Sequence, residues 1–184
     1  MESLVIFIAC DGPLRTPDDD RLGNGAGHVM RLLRTFEVPV VFVTDQPASE
    51  MIDLQRELGA CHPFIAGAGA KLYVPRDYFP DVLDTVADEE SGWQVLGLQT
   101  RGGVGDAVRL LMALYRLGDD PVVFVGLGED WKDRALLRAV DVPVIVRNDR
   151  VDQMRLLRSI PDAYLTMAAG AEGLTEAILG TAAD

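Results

Sequence analysis

Three polar residues follow apolar segments, at the places where buried strands of this sequence are predicted to end. Asp11 comes three residues after the first apolar run, Thr44 closes the second, and Glu129 comes three residues after a third. Carboxylates and hydroxyls can exchange protons, hold a cation or bind an anionic ligand. In parallel α/β sheets, ligands bind beyond the carboxyl ends of the strands. The sequence therefore predicts a ligand site at one edge of a sheet.

The elements that would position these side chains follow the order of an α/β protein. Apolar runs that predict buried strands cover 4–8, 38–44, 122–126, 142–146 and 164–166. Helical spacing of apolar residues predicts helices at 29–36, with Phe36 on the apolar face, at 105–117 and 132–140, after 151 and from 172. Ser49 is the predicted N-cap of a further helix at 49–58, which Gly59 ends. A hairpin is predicted over 63–78, and 76–103 shows no strong periodicity. This alternation predicts a three-layer, doubly wound, mostly parallel sheet.

Length and composition fit one domain over residues 1–184. The chain has 48% hydrophobic residues, enough to bury a sizeable single core. Its formal charge of −12, with no Lys/Arg cluster to offset it, argues against nucleic acid and anionic membranes as partners. No apolar run approaches the roughly 18 residues that span a bilayer. Without a predicted secretory signal, the expected location is cytoplasmic.

The end of the first strand carries a resemblance to a known family. The sequence Ala9-Cys10-Asp11-Gly12-Pro13 resembles Asp-x-Asp-Gly-Thr, which begins the phosphatases of the haloacid dehalogenase (HAD) superfamily. In those enzymes the first Asp attacks phosphorus and the second is the general acid and base. The resemblance implies a HAD-like Rossmannoid core in which Ala9 replaces the nucleophile and Asp11 keeps the second position.

Two further motifs support the resemblance. Thr44 stands where HAD enzymes have the Ser/Thr that donates a hydrogen bond to the substrate phosphate. The run Gly-Leu-Gly-Glu-Asp-Trp-Lys-Asp at 126–133 resembles Gly-Leu-Gly-Asp-Ser-Pro-Asn-Asp, whose acids hold magnesium. The resemblance implies a Mg²⁺ ion held by Glu129, Asp133 and the main-chain carbonyl of Asp11. Two acids near a helix N-terminus also occur because they suit the helix dipole, so their spacing alone does not establish a metal site.

Two segments outside the catalytic motifs indicate which family of the superfamily the chain resembles. The sequence Pro-Phe-Ile-Ala-Gly-Ala-Gly-Ala at 63–70 is similar to Pro-Phe-Ile-x-Glu-Asn-Gly of the mannosyl-3-phosphoglycerate phosphatases. The sequence Gly-Ala-Glu-Gly-Leu at 170–174 resembles the Gly-Pro-Glu-Gly-Trp that closes that family. Its members remove phosphate from a phosphorylated glycosyl-glycerate, using magnesium. The resemblance implies a phosphorylated small molecule as ligand.

The departures from the family pattern decide the functional interpretation. Pro13 replaces a Thr, and Val104 aligns with the phosphate-binding Lys, for which Arg101 is the nearest substitute. The shortened insertion around 77–100 is too small for the family's cap, so the cap is absent or vestigial. Loss of a covalent nucleophile costs a triad hydrolase on the order of 10⁶ in turnover. With Ala9 in its place, a phosphoaspartyl intermediate is not expected.

Two functions from different classes fit these departures. The first is a non-catalytic module that binds a phosphorylated ligand or a partner, which includes a second copy of the chain, and holds Mg²⁺ weakly. The second is an active Mg²⁺-dependent phosphomonoesterase in which Asp11 or a metal-bound water does the chemistry. A nucleotide-binding alternative rests on the glycines of 23–27, whose spacing is not GxGxxG. Trp131, which replaces a small residue of the metal motif, would fill the substrate space or present apolar surface to a partner.

Overall fold

The computed structural model describes most of the chain and contains one large sheet with helices on both faces. The residues that it describes are 3–10, 15–16, 19–22, 24–79, 88–90, 92–98 and 103–181. Asp11, Pro13 and Arg101 lie outside these ranges. No helix in these ranges is long and apolar enough to cross a membrane.

Eleven strands lie within the described residues. They are β1 (Ser3–Ala9), β2 (Arg15–Thr16), β3 (Asp19–Leu22), β4 (Val40–Val43), β5 (Phe64–Ala66), β6 (Lys71–Pro75), β7 (Asp88–Glu90), β8 (Trp93–Gly97), β9 (Val122–Gly128), β10 (Val142–Arg147) and β11 (Tyr164–Ala169). The helices are α1 (Asn24–Thr35), α2 (Ala48–Leu58), α3 (Val104–Tyr115), α4 (Arg134–Leu137), α5 (Met154–Ser159) and α6 (Gly170–Thr181). A 3₁₀ turn, Trp131–Asp133, precedes α4.

Nine of these strands form a single sheet in the order β11-β10-β9-β1-β4-β5-β6-β8-β7. The pairs from β11 to β5 are parallel, and those from β5 onward are antiparallel. β2 and β3 form a separate two-stranded pair. The prediction of a doubly wound, mostly parallel sheet is confirmed. Because β1 lies between β4 and β9, the ends of these three strands are neighbours.

Helices cover both faces of the sheet because its central strands are apolar throughout. Ile6 and Ile8 of β1 belong to a buried cluster with residues of α1, α2 and α6. Val5 and Phe7 point to the other face and pack with residues of α3 and α4. Continuous apolar strands of this kind are typical of parallel sheets that are buried on both sides. The predicted three layers are confirmed.

The helix ends differ from the sequence predictions in several places. The helix predicted at 132–140 is a 3₁₀ turn followed by α4, which ends at Leu137. Phe36, predicted on the buried face of the first helix, is 73% exposed because α1 ends at Thr35. Ser49 is the predicted N-cap of α2, but the helix begins at Ala48 after Pro47 and has no side-chain cap. Gly59 ends α2 in the left-handed conformation, with φ 63°, as its position predicts.

The segment 76–103, which lacks periodicity, contributes two strands to the sheet. β8 pairs with β6 and extends the sheet beyond the predicted hairpin, and β7 forms the edge. Gln94 and Val95 of β8 are both buried, so the strand does not alternate between apolar and polar residues. Trp93 packs edge-on against Phe64, with ring centroids 5.0 Å apart. The sequence gives only a weak indication of this strand, because the two buried residues are adjacent and do not alternate with exposed ones.

A hydrogen-bonded chain of three side chains lies at the amino-terminal edge of the sheet. His62 precedes β5 and Tyr115 ends α3, and Tyr78 lies between their side chains. Nδ1 of His62 is 2.9 Å from the Tyr78 hydroxyl, which is 3.0 Å from the Tyr115 hydroxyl. Burial lowers the pKa of His62 below its ordinary value of 6.5.

We expect His62 to make the chain less stable in mild acid. Because the pKa of His62 is lower in the folded chain, the unfolded chain binds this proton first as the pH falls below about 6.5. The stabilisation is present above that pH and is lost as the pH falls towards the folded pKa. Urea unfolding at pH 7.5 and pH 5.5 should show a smaller loss for His62→Gln than for the unaltered chain. His28, changed to Gln, is the control, and equal losses in all three proteins would contradict the expectation.

Candidate functional site

The carboxyl ends of β4, β1 and β9 meet at one edge of the sheet. Ala9 is paired in register with Val43, and the N–H of Cys10 donates to the Val43 carbonyl at 2.9 Å. On the other side, Ile8 is paired with Leu127 of β9. Thr44 and Glu129 come directly after β4 and β9, so the strand order brings them to the edge where β1 ends. Asp11 lies outside the described residues, one residue beyond Cys10.

Ala9 occupies the end of β1 as an apolar core residue. Its side chain is 4% exposed and belongs to the buried cluster with Phe7, Val41 and Val43. A methyl group has no lone pair to attack an electrophile or to bind a cation. Ala9, which the resemblance predicts at the nucleophile position, therefore contributes packing to this edge of the sheet.

Thr44 is held at the edge by its backbone and its hydroxyl. Its N–H donates to the Ile65 carbonyl at 3.0 Å, and its hydroxyl oxygen accepts the N–H of Gln46 at 3.0 Å. The residue is buried. A hydroxyl that accepts a backbone N–H in this way is an ST-turn, which fixes the first turn after the strand.

The loop after β9 is organised by the carboxylate of Asp133. Its Oδ2 accepts the N–H groups of Glu129, at 2.8 Å, and of Asp130, at 3.0 Å. The Asp130 side chain in turn accepts the backbone N–H of Asp133, which completes a capping box, and it also accepts the N–H of Trp131. A Cβ on Gly128 would lie 2.6 Å from the Cβ of Asp133, so a glycine is needed for this close approach. Asp133 therefore has a structural role that needs no metal.

The Glu129 side chain is partly buried in the same loop. Burial raises the pKa of this carboxyl, and a hydrogen bond with Asn148 acts against the rise. Burial also raises the pKa of Asp133, although its two backbone hydrogen bonds act in the opposite direction. Nε2 of Gln153 donates to the carbonyls of Glu129, at 2.7 Å, and Val146, at 2.8 Å. Gln153 joins the ends of β9 and β10, and the sequence has no pattern that would reveal it.

The described residues do not by themselves fit a divalent cation. Magnesium prefers about six oxygen ligands in octahedral geometry. The predicted metal motif has two acids, Glu129 and Asp133. The second of them already accepts two backbone N–H groups with its Oδ2. In the part of the chain that the structure describes, no group of three His, Cys, Asp or Glu residues could hold a metal ion.

A tight turn between β5 and β6 lies against the start of α3. Gly67, Ala68 and Gly69 all have positive φ angles, of 60°, 54° and 88°. A Cβ on Gly69 would lie 2.3 Å from the backbone nitrogen of Val104, at the position expected for the family's Lys. The turn and the helix therefore approach backbone to backbone at this edge.

We expect Ala68→Gly to stabilise the chain by about 0.5–1 kcal/mol. An L-residue in the left-handed region costs about 1–2 kcal/mol, part of which glycine offsets by its greater freedom in the unfolded chain. Ala70→Gly, in the same turn without a positive φ, should instead lower the free energy of unfolding. Urea unfolding of both variants checks this, and a shift of the same sign in both would contradict it.

Comparison with known proteins gives one sequence match and many structural ones. No family model matches the chain. It is 32% identical over 82 residues to a glucosyl-3-phosphoglycerate/mannosyl-3-phosphoglycerate phosphatase of Methanococcoides burtonii. The match covers 45% of this chain and 30% of that relative. The sequence similarity thus reaches less than a third of the curated protein.

Solved structures share the fold at low sequence identity. A haloacid dehalogenase-like hydrolase from Bacteroides thetaiotaomicron has a TM-score of 0.67 and 11% identity, covering 98% of this chain and all of its own. The sucrose-phosphatase from Synechocystis, in complex with sucrose and phosphate, has a TM-score of 0.62 and 15% identity over 98% of both chains. A cobalt-bound deoxy-D-mannose-octulosonate 8-phosphate phosphatase from Haemophilus influenzae has a TM-score of 0.58 and 13% identity, covering 96% of this chain and 86% of its own.

The arrangement of the strands agrees with the sequence match and with the shared fold. The strand order places the chain's three motif segments at one edge of the sheet, where the resemblance requires them. The chain therefore shares the α/β fold of haloacid dehalogenase-like hydrolases, and a stretch of 82 residues is similar in sequence to a phosphatase.

Proposed function

We propose that this protein binds a phosphorylated small molecule through a HAD core that has lost covalent phosphatase catalysis. One observation carries the proposal: Ala9 ends β1 as a buried methyl group among apolar side chains. A phosphoaspartyl intermediate needs a carboxylate at this place. No acid on β1 precedes Ala9, since Ser3 to Ile8 are uncharged.

The ligand class is supported by the comparisons. The sequence relative is named for glucosyl- and mannosyl-3-phosphoglycerate, and one structural neighbour holds sucrose and phosphate. We propose a phosphosugar or phosphoglycerate-type ligand. Thr44 would donate to its phosphate and Arg101 would supply positive charge. Asp11 would still donate and accept protons, but no nucleophilic carboxylate would be present beside it.

Magnesium binding is expected to be weak. The described acids do not form a cation site. Ala9 also lacks the carboxylate that the family's Asp would offer to the ion. The ion would depend on Asp11 and Glu129, with Asp133 already bonded to the loop backbone. A divalent ion, where bound, would offset the negative charge of a ligand phosphate.

The second candidate is an active Mg²⁺-dependent phosphomonoesterase. It is favoured by the acids that remain in the motif positions, Asp11 after β1 and Glu129 after β9. The raised pKa of Glu129 would suit proton transfer nearer neutral pH than an exposed carboxyl. Water would then have to attack phosphorus directly.

The domain organisation and the partners remain part of this proposal. We propose one domain over residues 1–184, with 77–100 as a shortened cap insertion in a cytoplasmic protein. β7 and β8 support this, since they extend the core sheet. A second copy of the chain or another protein would be the source of any missing cap.

Hydrolysis of p-nitrophenyl phosphate and a phosphosugar panel with Mg²⁺ separates the two candidates. For the binding module we expect turnover no greater than that of Asp11→Asn, together with a rise in melting temperature when a phosphorylated ligand is added. Turnover that disappears in Asp11→Asn would overturn this proposal and establish the enzyme. Absence of both turnover and ligand binding would overturn both candidates.

A further inference from the structure

Two arginines stack on one tryptophan beside the candidate site. The central guanidinium carbon of Arg155 lies 3.7 Å from the ring centroid of Trp131, and that of Arg134 lies 5.1 Å from it. Trp131 remains 37% exposed. Such cation–π contacts fix a flexible Arg side chain against a rigid surface. We call these three residues the Trp131 cluster.

The Trp131 cluster lies at the carboxyl edge of the sheet. Trp131 is two residues after Glu129, in the loop that follows β9. Arg134 begins α4, and Arg155 is in the first turn of α5, which follows the end of β10. Gln153, two residues before Arg155, donates to the Glu129 carbonyl at 2.7 Å. The cluster therefore adjoins the place where the ligand is proposed to bind.

The two guanidinium groups have no carboxylate partner among the described residues. The acids that neighbour them in sequence bond elsewhere: Asp130 to the N–H of Trp131, Asp133 to the loop backbone, Asp149 to Arg147 and Asp152 to the N–H of Met154. Nε of Arg134 is buried and has no hydrogen-bond partner within the described part of the chain. A buried donor without a partner destabilises the fold.

The electrostatic setting makes this pair unusual. The chain carries 29 acidic and 17 basic residues, so an arginine without an acidic neighbour is not the expected case. Arg155 stands in the first turn of α5, where the helix dipole favours negative charge. Stacking engages the faces of the guanidinium groups and leaves their N–H edges for a carboxylate or a phosphate. Residues that oppose local preferences in this way often serve binding.

We propose that the Trp131 cluster binds a second anionic group of the phosphorylated ligand, a carboxylate held by Arg155 and Arg134. The inference rests on the proposed function and narrows the ligand to phosphorylated hydroxy acids. The cluster belongs to the core of the protein, and it would supply contacts to the ligand that a full cap would otherwise make. It also gives Trp131 a role other than filling the substrate space.

A matched pair of ligands tests the inference by calorimetry. 3-Phosphoglycerate and glycerol 3-phosphate both carry a three-carbon phosphomonoester, and the first has a carboxylate where the second has a hydroxymethyl group. We expect the unaltered chain to bind 3-phosphoglycerate about tenfold more tightly, as one charge-assisted hydrogen bond provides. Arg155→Gln should remove this preference and leave the affinity for glycerol 3-phosphate unchanged.

The matched control is Arg158→Gln, which removes the same charge from a position one turn along α5 and should keep the preference. Arg155→Lys retains the charge without the planar fork and should keep part of it. Tryptophan fluorescence gives an independent readout, since 3-phosphoglycerate should change the emission of the unaltered chain but not that of Trp131→Phe, which retains Trp93.

The outcomes separate the two proposals. Equal affinity for the two ligands, or a preference that survives Arg155→Gln, overturns this inference and leaves the proposed function standing. Binding of neither ligand overturns the proposed function and this inference with it. A preference that Arg158→Gln removes as strongly as Arg155→Gln indicates a general charge effect and contradicts a specific site.

Discussion

Replacing Ala9 with aspartate is expected to raise the hydrolysis of p-nitrophenyl phosphate at least about a hundredfold above the unaltered chain, which should be near background. The change supplies the carboxylate that a phosphoaspartyl intermediate requires, at the edge of the sheet where Thr44 also lies. Loss of a nucleophile costs on the order of 10⁶ in a triad hydrolase. Recovery should be incomplete because the resemblance predicts Val104 in place of the family's Lys and a shortened cap.

The same substitution should lower stability. Ala9 is 4% exposed and packs with Phe7, Val41 and Val43, so an ionised carboxylate there loses its hydration without a partner. We expect a loss of about 3 kcal/mol in the free energy of unfolding without metal, the lower end for an uncompensated buried charge. Added Mg²⁺ should restore part of it, because the ion would neutralise that charge.

Ala9→Asn is the control for this experiment. It has nearly the same shape as aspartate and no nucleophilic oxygen anion, so it should stay at background activity. Phosphatase assays of the three proteins, with urea unfolding of the same samples, check both effects. High turnover in the unaltered chain, unchanged in Ala9→Asp, would favour the direct attack of water and reject the loss of catalysis.

Gly69→Ala should destabilise the fold by about 3 kcal/mol or more, since a steric clash adds to the cost of a left-handed L-residue, about 1–2 kcal/mol. The new Cβ would lie 2.3 Å from the nitrogen of Val104 and 2.4 Å from the carbonyl carbon of Gly103, and backbone atoms cannot move aside cheaply. The φ of Gly69 is 88°, which an L-residue rarely adopts. Separation of the turn from α3 would also disturb the edge where the ligand is proposed to bind.

Gly92→Ala isolates the conformational part of this effect. Gly92 has nearly the same φ, 86°, and no described atom lies within 4 Å of the point where a Cβ would stand. We expect this variant to lose only about 1–2 kcal/mol. Urea unfolding of the two variants measures the difference, and equal losses would show that the contact with α3 contributes nothing.

The strands that are apolar along their whole length, and the helices between them, can be predicted from the sequence. β1, β4, β9 and β10 have ends near those predicted, since burial on both faces leaves a continuous apolar run. β8 escapes prediction because Gln94 and Val95 are buried side by side near the edge of the sheet. Ser49 is predicted to cap a helix that begins at Ala48 and has no side-chain cap.

Some features of the candidate site can likewise be predicted from the sequence, and others cannot. The order of elements is enough to predict that Thr44 and Glu129 lie at one edge with the end of β1, because parallel strands place their carboxyl ends together. It cannot indicate that Asp133 bonds to the N–H groups of Glu129 and Asp130, or that Gln153 joins two strand ends. Hydrogen bonds between loops leave no periodic trace in a sequence.

The α/β class, the HAD resemblance and the absence of a carboxylate at Ala9 follow from the sequence alone, since each depends on residue type and order along the chain. Which side chains meet in space depends on how the layers of helices and sheet pack. That packing places Arg134 and Arg155 on Trp131, and the turn at Gly69 against α3. These contacts join segments from separate loops and helices, so no local sequence preference specifies their distances.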